Sequence, residues 1–523
     1  MLMRRQAQYH TGLLAVCMAA LLSACGGGGG GDSGVPVQGS DGSLSDPAVY
    51  STQPGASLAA GAEAAAVTHH QITLGGTAIA YTATAGHMTA SDPASGQAQA
   101  SFFYVAYTAD NQNLGTRPVT FFYNGGPGSA SVWLHMGSFG PKRIATGEPS
   151  ISVPQPFPLV DNTESLLDTT DLIFVDAVGT GYSEAIAPNT NQSFWGVDAD
   201  AAVFRNFVQR YLQVYGRQAS PKFLFGESYG TTRSAVLANL LETAGVALKG
   251  VVLQSSVLDY NSNCGVTGLA TTSCAGYLPS YGAVGAYYML TNPAQPDLAS
   301  YMQQMRSFTL TSYAPAVSAY LAQPPVQPSA SLINTLSLDT GASVALWQAH
   351  FNLDPGTYRA QLLPGSLIGG YDARVFAPYG SALASEGDPS STLITASFAG
   401  SIADYLKNTL LYNNASTYVL LSNAIASWNF SHDGQVLPDT VPDLLGAMLQ
   451  NPKLQLLSLN GYHDLVTPYF QTEQDLARLP AANQPQVQTR FYAGGHMTYL
   501  DDGSRPLEKS DLRSFYQAAL AAQ

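Results

Sequence analysis

The chain has 523 residues, of which 46% are hydrophobic and 11% are charged, and its formal net charge is -14. This length allows two or three ordinary domains, or one large α/β domain with insertions, and the hydrophobic content is ample for a large core. The acidic balance and the lack of a Lys/Arg cluster argue against nucleic acid as a partner, because an acidic surface repels phosphate backbones.

Residues 1–24 have the pattern of a secretory signal, with two arginines before an apolar stretch too short to span a bilayer. The segment Leu22-Ser23-Ala24-Cys25 also resembles the lipobox of bacterial lipoproteins, in which Cys25 would become the lipidated first residue. The alternative is a simple secretory peptide cleaved nearby. We expect an exported protein, periplasmic or anchored to a bacterial outer membrane, with this lipid as its only membrane association.

The segment 25–66 is rich in Gly, Ser, Ala and Pro, and its composition predicts a flexible tether. Cys17 would leave with the signal and Cys25 would carry lipid, so Cys264 and Cys274 remain in an oxidising compartment. We expect these two cysteines to form a disulfide. A metal site is not expected there, because no His or further Cys lies nearby.

Strand-like segments open the folded part. They comprise a hairpin at 70–89 around Gly75-Gly76, and strands at 101–108, 118–123 and 171–176. The last of these is apolar on both faces, and a helix is predicted at 198–215. Continuous apolar strands separated by helices indicate a central sheet covered on both sides. We therefore predict an α/β fold whose central sheet is mostly parallel, with helices on both faces.

The segment 222–232 contains a candidate catalytic motif. A short apolar run leads into Gly226-Glu227-Ser228-Tyr229-Gly230, and a helix-like pattern follows at once. Strand, sharp turn and helix in this order are typical of the nucleophile elbow of α/β-hydrolases, whose glycines leave room for neighbouring backbone. Ser228 is therefore the candidate nucleophile.

The character of the chain changes beyond Asp259. After a strand at 248–253, residues 260–440 show helix-like runs at 301–308, 316–321 and 402–411 but no clear strand. We interpret this region as a largely helical cap inserted into the hydrolase core, which would then comprise residues 67–259 and 441–523. An independent second domain is the alternative. The sheet pattern resumes at 454–459 and 487–492, and a terminal helix is predicted at 510–521.

Two late strands are each followed by a polar residue suited to catalysis. Asp464 follows the penultimate strand and His496 follows the last, so the chain order is Ser228, Asp464, His496, as in α/β-hydrolases. A serine needs an imidazole to take its proton, and the imidazole needs a carboxylate to orient it. We assign no chemistry to His463, beside the acid. Asp259 is a second candidate acid in a less suitable motif.

The glycine-rich segment 124–128 follows an early strand. Such a loop lets backbone N–H groups approach a reacting carbonyl, so Gly126 and Tyr229 are the candidate oxyanion hole. A phosphate-binding loop is rejected, because no Lys-Ser/Thr follows the glycines. Serine chemistry of this kind needs neither a metal nor an organic cofactor.

At this point the chain resembles the serine carboxypeptidase family. The matching motifs are Asn124-Gly-Gly-Pro-Gly128, Gly140-Pro141, Phe174-Val175-Asp176, Gly179-Thr-Gly-Tyr-Ser183, Gly226-Glu-Ser-Tyr-Gly230, Asp464 and Gly495-His496-Met497. The resemblance implies that Ser228, Asp464 and His496 form a triad that acts through an acyl-enzyme. It also implies that Asn124, Gly125 and Glu227 bind the free C-terminal carboxylate of a peptide. A Glu can face that carboxylate only when one of the two is protonated.

The chain departs from the family where a second Glu commonly precedes Gly-Pro, since that position is Ser138, and where a Cys commonly follows the glycine loop, since that residue is Ser129. Half of the proton-sharing pair is therefore absent, and we hypothesise that Ser138 lessens the dependence on acid pH. Two alternatives stay open: an esterase or acyltransferase with the same triad, and a non-catalytic surface-binding protein.

Overall fold

The computed structural model describes residues 42–268 and 270–522. The expected signal sequence and the expected lipidation site, Cys25, lie outside these ranges. None of the helices within them is both long and apolar enough to cross a bilayer.

A ten-stranded sheet forms the centre of the fold. Its strands are β1 Ala65–Leu74, β2 Thr77–Ser91, β3 Ala98–Ala109, β4 Val119–Tyr123, β5 Asp171–Val175, β6 Glu184–Ala185, β7 Lys222–Glu227, β8 Gly250–Gln254, β9 Gln455–Gly461 and β10 Val487–Tyr492. The order across the sheet is β10-β9-β8-β7-β4-β5-β3-β2-β1, and β6 pairs with β3. The six strands from β10 to β5 run parallel, and the others are antiparallel.

The described residues contain fourteen α-helices. They are α1 Val132–Gly137, α2 Val197–Val214, α3 Tyr229–Thr243, α4 Cys264–Thr267, α5 Leu278–Tyr287, α6 Leu298–Phe308, α7 Ala314–Leu321, α8 Ala330–Thr340, α9 Val344–Ala349, α10 Pro355–Gln361, α11 Pro389–Asn408, α12 Val441–Gln450, α13 Tyr469–Leu476 and α14 Ser504–Ala521. Three pairs of short strands lie outside the central sheet: Leu44–Asp46 with Tyr412–Asn414, Lys142–Ile144 with Leu159–Asp161, and Ser366–Ile368 with Phe376–Pro378.

The parallel strands β4, β5, β7 and β8 are buried on both faces because their side chains alternate between two hydrophobic layers. Phe122 packs on one face with α1, α11 and α14. Its neighbour Phe121 packs on the other face with α2, α3 and α12. All five residues of β4 are buried. The predicted α/β class and the mostly parallel sheet between helices are thus confirmed.

Helices α4 to α10 form the helical insertion. They lie in the chain between β8 and β9, which are neighbours in the sheet, and they build their own cluster around Tyr281, Trp347 and Tyr358. The sequence indicates α6 and α7 but not α5, α8, α9 or α10. The region 260–440 is not all cap, however, because α11 packs into the sheet-facing core through Leu393 and Phe398.

The predicted tether extends too far along the chain. Residues 44–46 pair with the strand Tyr412–Asn414, and Gly42 pairs with Val67. Asp46 accepts hydrogen bonds from the hydroxyl groups of Tyr50 and Tyr412 at 2.7 and 2.6 Å. Residues 42–66 are therefore held against the folded domain by a few polar contacts, which a composition rich in small residues does not reveal.

The predicted disulfide is confirmed. Cys264 and Cys274 are bonded to each other, with their Cα atoms 5.2 Å apart, and both are buried. The bridge closes a short loop at the beginning of the helical insertion.

Candidate active site

Ser228 lies on the sharp turn between β7 and α3. Its φ is +59° and its ψ is -129°, a conformation that a non-glycine residue adopts only when the surroundings enforce it. A Cβ atom at Gly226 would lie 2.2 Å from the carbonyl oxygen of Gly230, so only glycine permits this approach. The turn is that of a nucleophile elbow, as the local sequence predicts.

His496 and Asp464 meet beyond the carboxyl ends of β10 and β9. The Nδ1 atom of His496 lies 2.8 Å from Oδ2 of Asp464, and both side chains are about 1% exposed. The other carboxylate oxygen of Asp464 accepts backbone N–H bonds from Val466 and Thr467. The carboxylate is thereby held in one orientation, and it orients the imidazole in turn.

Residues that the sequence analysis did not identify hold this pair in place. The Thr467 hydroxyl lies 2.8 Å from Oδ2 of Asp464 and 3.1 Å from Nδ1 of His496. The backbone N–H of His496 donates to the carbonyl of Tyr371, and the hydroxyl of Ser255 donates to the carbonyl of His496. These contacts join segments far apart in the chain, and no local motif marks them.

Ser228 and His496 line the same pocket, together with Asn124, Gly126 and Glu227. The Nε2 atom of His496 is buried and has no hydrogen-bond partner among the described residues. This nitrogen therefore remains available to take a proton from a hydroxyl in the pocket. The structure brings the three predicted triad residues into one site.

The charge state of His496 follows from two opposing effects. Burial alone lowers the pKa of an imidazole, but the negative charge of Asp464 and its hydrogen bond raise the pKa of His496 above its ordinary value. Such an imidazole is a stronger base than a free histidine.

Glu227, next to the nucleophile in the chain, is a buried carboxyl group. Its Oε1 accepts a hydrogen bond from Nδ2 of Asn124 at 2.8 Å, and its Oε2 accepts one from the hydroxyl of Tyr499 at 2.5 Å. Burial raises the pKa of Glu227 to about 7, although His496 and the two hydrogen bonds oppose that shift. The group can therefore be neutral or charged near neutral pH.

The glycine loop after β4 lies against the elbow. A Cβ atom at Gly125 would be 2.4 Å from the backbone nitrogen of Tyr229, so the two backbones are in close contact. Gly126 has a φ of +100°, which glycine adopts freely and other residues do not. Tyr229 begins α3, and the first N–H groups of a helix have no intrahelical acceptor. Gly126 lines the pocket, and Tyr229 directly follows Ser228, which also lines it.

A buried arginine beneath the elbow links it to two neighbouring elements. Arg233 of α3 donates to the carboxylate of Asp200 in α2 at 2.7 Å and to the carbonyl of Asn124 at 2.8 Å. Its guanidinium also lies 4.4 Å from the ring centre of Phe204. The sequence analysis missed Arg233, and the signal that could have identified it is that Arg233 is the only basic residue of α3.

Ser138 does not line the pocket. Its hydroxyl donates to the carbonyl of Leu134 at 2.5 Å, one turn back along α1, and the residue is fully buried. The side chain at the position of the family's second Glu therefore caps a helix end, and it does not contact Glu227.

His463, to which the sequence analysis assigns no chemistry, and Asp259, the second candidate acid, have different contacts. Nδ1 of His463 lies 2.8 Å from the carbonyl of Ala493, and burial lowers the pKa of His463 to about 4. Asp259 accepts from the backbone of Asn261 and pairs with Arg478 at 2.9 Å. Neither residue lines the pocket that contains Ser228.

The mixed sheet, the elbow after β7 and the late strands β9 and β10 define an α/β-hydrolase. A model of the serine carboxypeptidase family matches residues 76–271. The resemblance to that family, stated above from motifs, is confirmed over this segment.

Two curated proteins named as carboxypeptidases or carboxypeptidase-like are each similar to part of the chain. Serine carboxypeptidase-like 33 of Arabidopsis thaliana is 27% identical over 174 residues, which cover 30% of this chain and 34% of that protein. The pheromone-processing carboxypeptidase KEX1 of Candida dubliniensis is 28% identical over 142 residues, or 27% of this chain and 19% of that protein. The chain thus matches about a third and about a fifth of the length of these relatives.

Two solved structures of other proteins also align with most of this chain. A proline iminopeptidase of Mycobacterium smegmatis aligns with a TM-score of 0.36 and 14% identity, covering 84% of this chain and 100% of that one. A carboxyl esterase of Bacillus coagulans aligns with a TM-score of 0.33 and 13% identity, covering 87% and 99%.

Proposed function

We propose that this protein is a serine-type carboxypeptidase that removes C-terminal residues from peptides through an acyl-enzyme. The observation that carries the proposal is the buried pair of His496 and Asp464, whose free imidazole nitrogen faces the pocket that contains Ser228. The match of residues 76–271 to the serine carboxypeptidase family supports the same conclusion.

In the proposed reaction, Ser228 attacks the scissile carbonyl carbon while Nε2 of His496 takes its hydroxyl proton. The carbonyl oxygen becomes negative, and the backbone N–H groups of Gly126 and Tyr229 stabilise it. His496 then gives the proton to the leaving amine, while Asp464 stabilises the imidazolium. Water resolves the resulting ester by the same steps in reverse order, with His496 again as base and then acid.

The carboxylate of the departing residue would bind beside Glu227. Asn124 donates one N–H of its amide to Glu227 and lines the pocket, and the backbone N–H of Gly125 belongs to the same loop. A protonated Glu227 could donate to the substrate carboxylate, whereas an ionised Glu227 would repel it. The site would therefore select a free C-terminus, most strongly at pH values below about 7.

One observation favours a second candidate, an esterase or acyltransferase with the same triad. Ser138 replaces the second acid of the family and does not reach the pocket, so recognition of a free carboxylate depends on one Glu. Such an enzyme would cleave activated esters and would be indifferent to a free C-terminus.

The deciding experiment compares a peptide with a free C-terminus, the same peptide amidated, and a matched ester at pH 6. Carboxypeptidase action predicts release of the last residue from the free peptide only. Equal cleavage of the amidated peptide, or activity on the ester alone, contradicts the proposal.

Labelling with a fluorophosphonate tests the nucleophile separately. Ser228→Ala should abolish labelling, while Ser280→Ala, at a buried serine outside the pocket, should retain it. Absence of labelling in the parent protein would favour the non-catalytic alternative.

We also infer export, supported by the disulfide between Cys264 and Cys274, since such bonds persist in oxidising compartments. Lipidation of Cys25 is part of this proposal. Fatty-acid labelling of the protein in a bacterial host should be lost in Cys25→Ser, and labelling that persists in the variant would exclude Cys25 as the anchor.

A further inference from the structure

The second oxygen of Glu227 has a partner that the family motifs do not indicate. The hydroxyl of Tyr499 donates to Oε2 of Glu227 at 2.5 Å, and Tyr499 is fully buried. Tyr499 lies three residues after His496, in the short 3-10 turn Thr498–Leu500. The side chain of Arg505 donates to the carbonyl of Tyr499, which fixes the turn. The phenol is therefore held at the back of the site.

We propose that Tyr499 is a positioning residue which, by hydrogen bonding to Glu227, sets the highest pH at which the site accepts a free C-terminal carboxylate. This inference rests on the proposed carboxypeptidase function and specifies how its substrate binding is regulated by pH.

The direction of the effect follows from which form of Glu227 the phenol stabilises. Burial holds the pKa of Tyr499 well above its ordinary value, so its hydroxyl keeps its proton and donates it. A donor favours the ionised form of a carboxyl group. Tyr499 thus opposes the protonation that Glu227 needs when a substrate carboxylate approaches. Without this hydrogen bond, Glu227 would remain protonated to a higher pH.

Other groups around Glu227 act in both directions. His496 lowers the pKa of Glu227, the amide of Asn124 lowers it, and Asp464 raises it. Glu508 of α14 is also buried, and burial raises the pKa of Glu508 to about 8, so this group is largely neutral at pH 7. Among the residues that the structure describes, none of these groups donates to Oε2 of Glu227, whereas the hydroxyl of Tyr499 does.

The absence of a second acid makes the phenol important. Ser138 is turned away toward the carbonyl of Leu134, so no second carboxyl group from that position shares a proton with Glu227. The proton must then be shared by Glu227 and the substrate carboxylate alone. The strength of the bond from Tyr499 therefore adjusts that balance directly.

The test is the pH dependence of KM for a free-carboxylate peptide in Tyr499→Phe. We call the pH above which KM begins to rise the pH limit. A hydrogen bond to a charged group is worth roughly one pKa unit or more, so this pH limit should move upward by about one unit in the variant. At pH values above the limits of both proteins, KM of the variant should be about tenfold lower than KM of the parent, with kcat little changed. KM for an ester substrate without a free carboxylate should be the same in the variant as in the parent at every pH.

Two further variants separate this role from a merely structural one. Tyr516→Phe removes another buried hydroxyl, which is bonded to Thr120 in β4, and should leave the pH limit unchanged. In Glu227→Gln the titrating group is gone, so adding Tyr499→Phe should cause no further shift of the KM profile. A shift that persists in the Gln background overturns the inference.

The outcomes also distinguish this inference from the proposed function. If the parent enzyme discriminates free from amidated peptides but Tyr499→Phe keeps the parental pH limit while remaining folded, the inference about Tyr499 is wrong and the carboxypeptidase function stands. If the parent enzyme shows no such discrimination at any pH, both are wrong. Circular dichroism of each variant checks that it is folded.

Discussion

At the scale of single residues, the site depends on which of two histidines faces the pocket. His463 and His496 are both buried and both follow late strands, but only His496 contacts Asp464 and lines the pocket with Ser228. His463 contacts the carbonyl of Ala493. The two histidines differ in which strand they follow. His463 comes after β9, whereas His496 comes after β10 and lines the pocket beside the elbow.

Replacing each histidine tests this assignment. His496→Ala should lower kcat by about 10⁴-fold or more, because the base is lost while the fold is kept. His463→Gln, the matched control, should reduce kcat less than tenfold. Steady-state kinetics on a free peptide measures both, and a comparable loss in His463→Gln would contradict the assignment.

Glu227 predicts a pH dependence of substrate binding. Burial raises the pKa of Glu227 to about 7, so the protonated form dominates below that pH and the ionised form above it. We expect KM for a free-carboxylate peptide to rise about tenfold per pH unit above this value, while KM for an amide or ester stays level. A KM profile that is flat from pH 6 to 9 for the free peptide would exclude Glu227 as the selecting group. A profile that rises steeply from pH 5 would contradict the hypothesis about Ser138.

At the scale of elements, the elbow requires close backbone contacts. A Cβ atom at Gly226 would lie 2.2 Å from the Gly230 carbonyl oxygen, and backbone cannot move aside as a flexible side chain does. Gly226→Ala should therefore destabilise the protein by about 1–3 kcal/mol or prevent folding. Gly400→Ala in α11, where no atom lies within 4 Å, should be neutral or stabilising. Urea unfolding of both variants measures the difference, and equal stability would mean that the elbow can relax.

The helical insertion also takes part in the site. The backbone N–H of Leu465, next to Asp464, donates to the carbonyl of Gly370, and the carbonyl of Tyr371 accepts from His496. Leu465 itself is buried in the hydrophobic cluster of the insertion. The segment 370–371, which follows the insertion in the chain, therefore holds both the acid loop and the histidine loop.

An ion cluster joins the segment after the insertion to two helices. Nδ1 of His432 lies 2.6 Å from Asp198 in α2, and its Nε2 lies 2.8 Å from Asp443 in α12. The hydrogen bond to Asp443 raises the pKa of His432 to about 9, against an ordinary value of 6.5. The stabilisation is therefore complete below pH 6.5 and is lost as the pH rises through 9.

The stability of His432→Asn should show this difference. Because asparagine does not titrate, the variant should be less stable than the parent at pH 6 and closer to it at pH 9.5. Urea unfolding at the two pH values measures the gap, and a gap of constant size would show that His432 is not charged in the folded protein.

At the scale of the whole molecule, the N-terminal part of the described chain belongs to the fold. Residues 44–46 add a short strand beside Tyr412–Asn414, and the carboxylate of Asp46 binds the hydroxyls of Tyr50 and Tyr412. The N-terminal segment thereby covers Tyr412 and His87, which are both buried. The domain is not complete without it.

Truncation tests this conclusion. A chain that begins at residue 67 should be less stable than one that begins at residue 42 by about 2 kcal/mol or more, because buried polar groups lose their partners. Asp46→Asn in the longer chain should cause only part of that loss, since an amide oxygen still accepts one bond. Thermal unfolding measures all three, and equal midpoints for the two chain lengths would show that residues 42–66 only rest on the surface.

Local sequence determined the parts of this protein that depend on neighbouring residues. The elbow at 226–230, the hairpin at Gly75-Gly76 and the apolar strands could be predicted because each depends on side chains adjacent in the chain. The positions of Asp464 and His496 could be predicted as well, since carboxyl ends of parallel strands meet at one edge of a sheet. Chain order and the positions of the strand ends were therefore sufficient to predict the elbow, Asp464 and His496.

Only the tertiary structure decided which distant side chains complete the site and where the folded domain begins. Tyr499 contacts Glu227 across 272 positions of the chain. Thr467 reaches His496, and the segment after α10 supplies the carbonyl of Tyr371. Asp46 holds a segment whose composition indicates a free tether. A single buried hydrogen bond leaves no periodic pattern in a sequence, because it depends on the packing of whole elements that bring its two partners together.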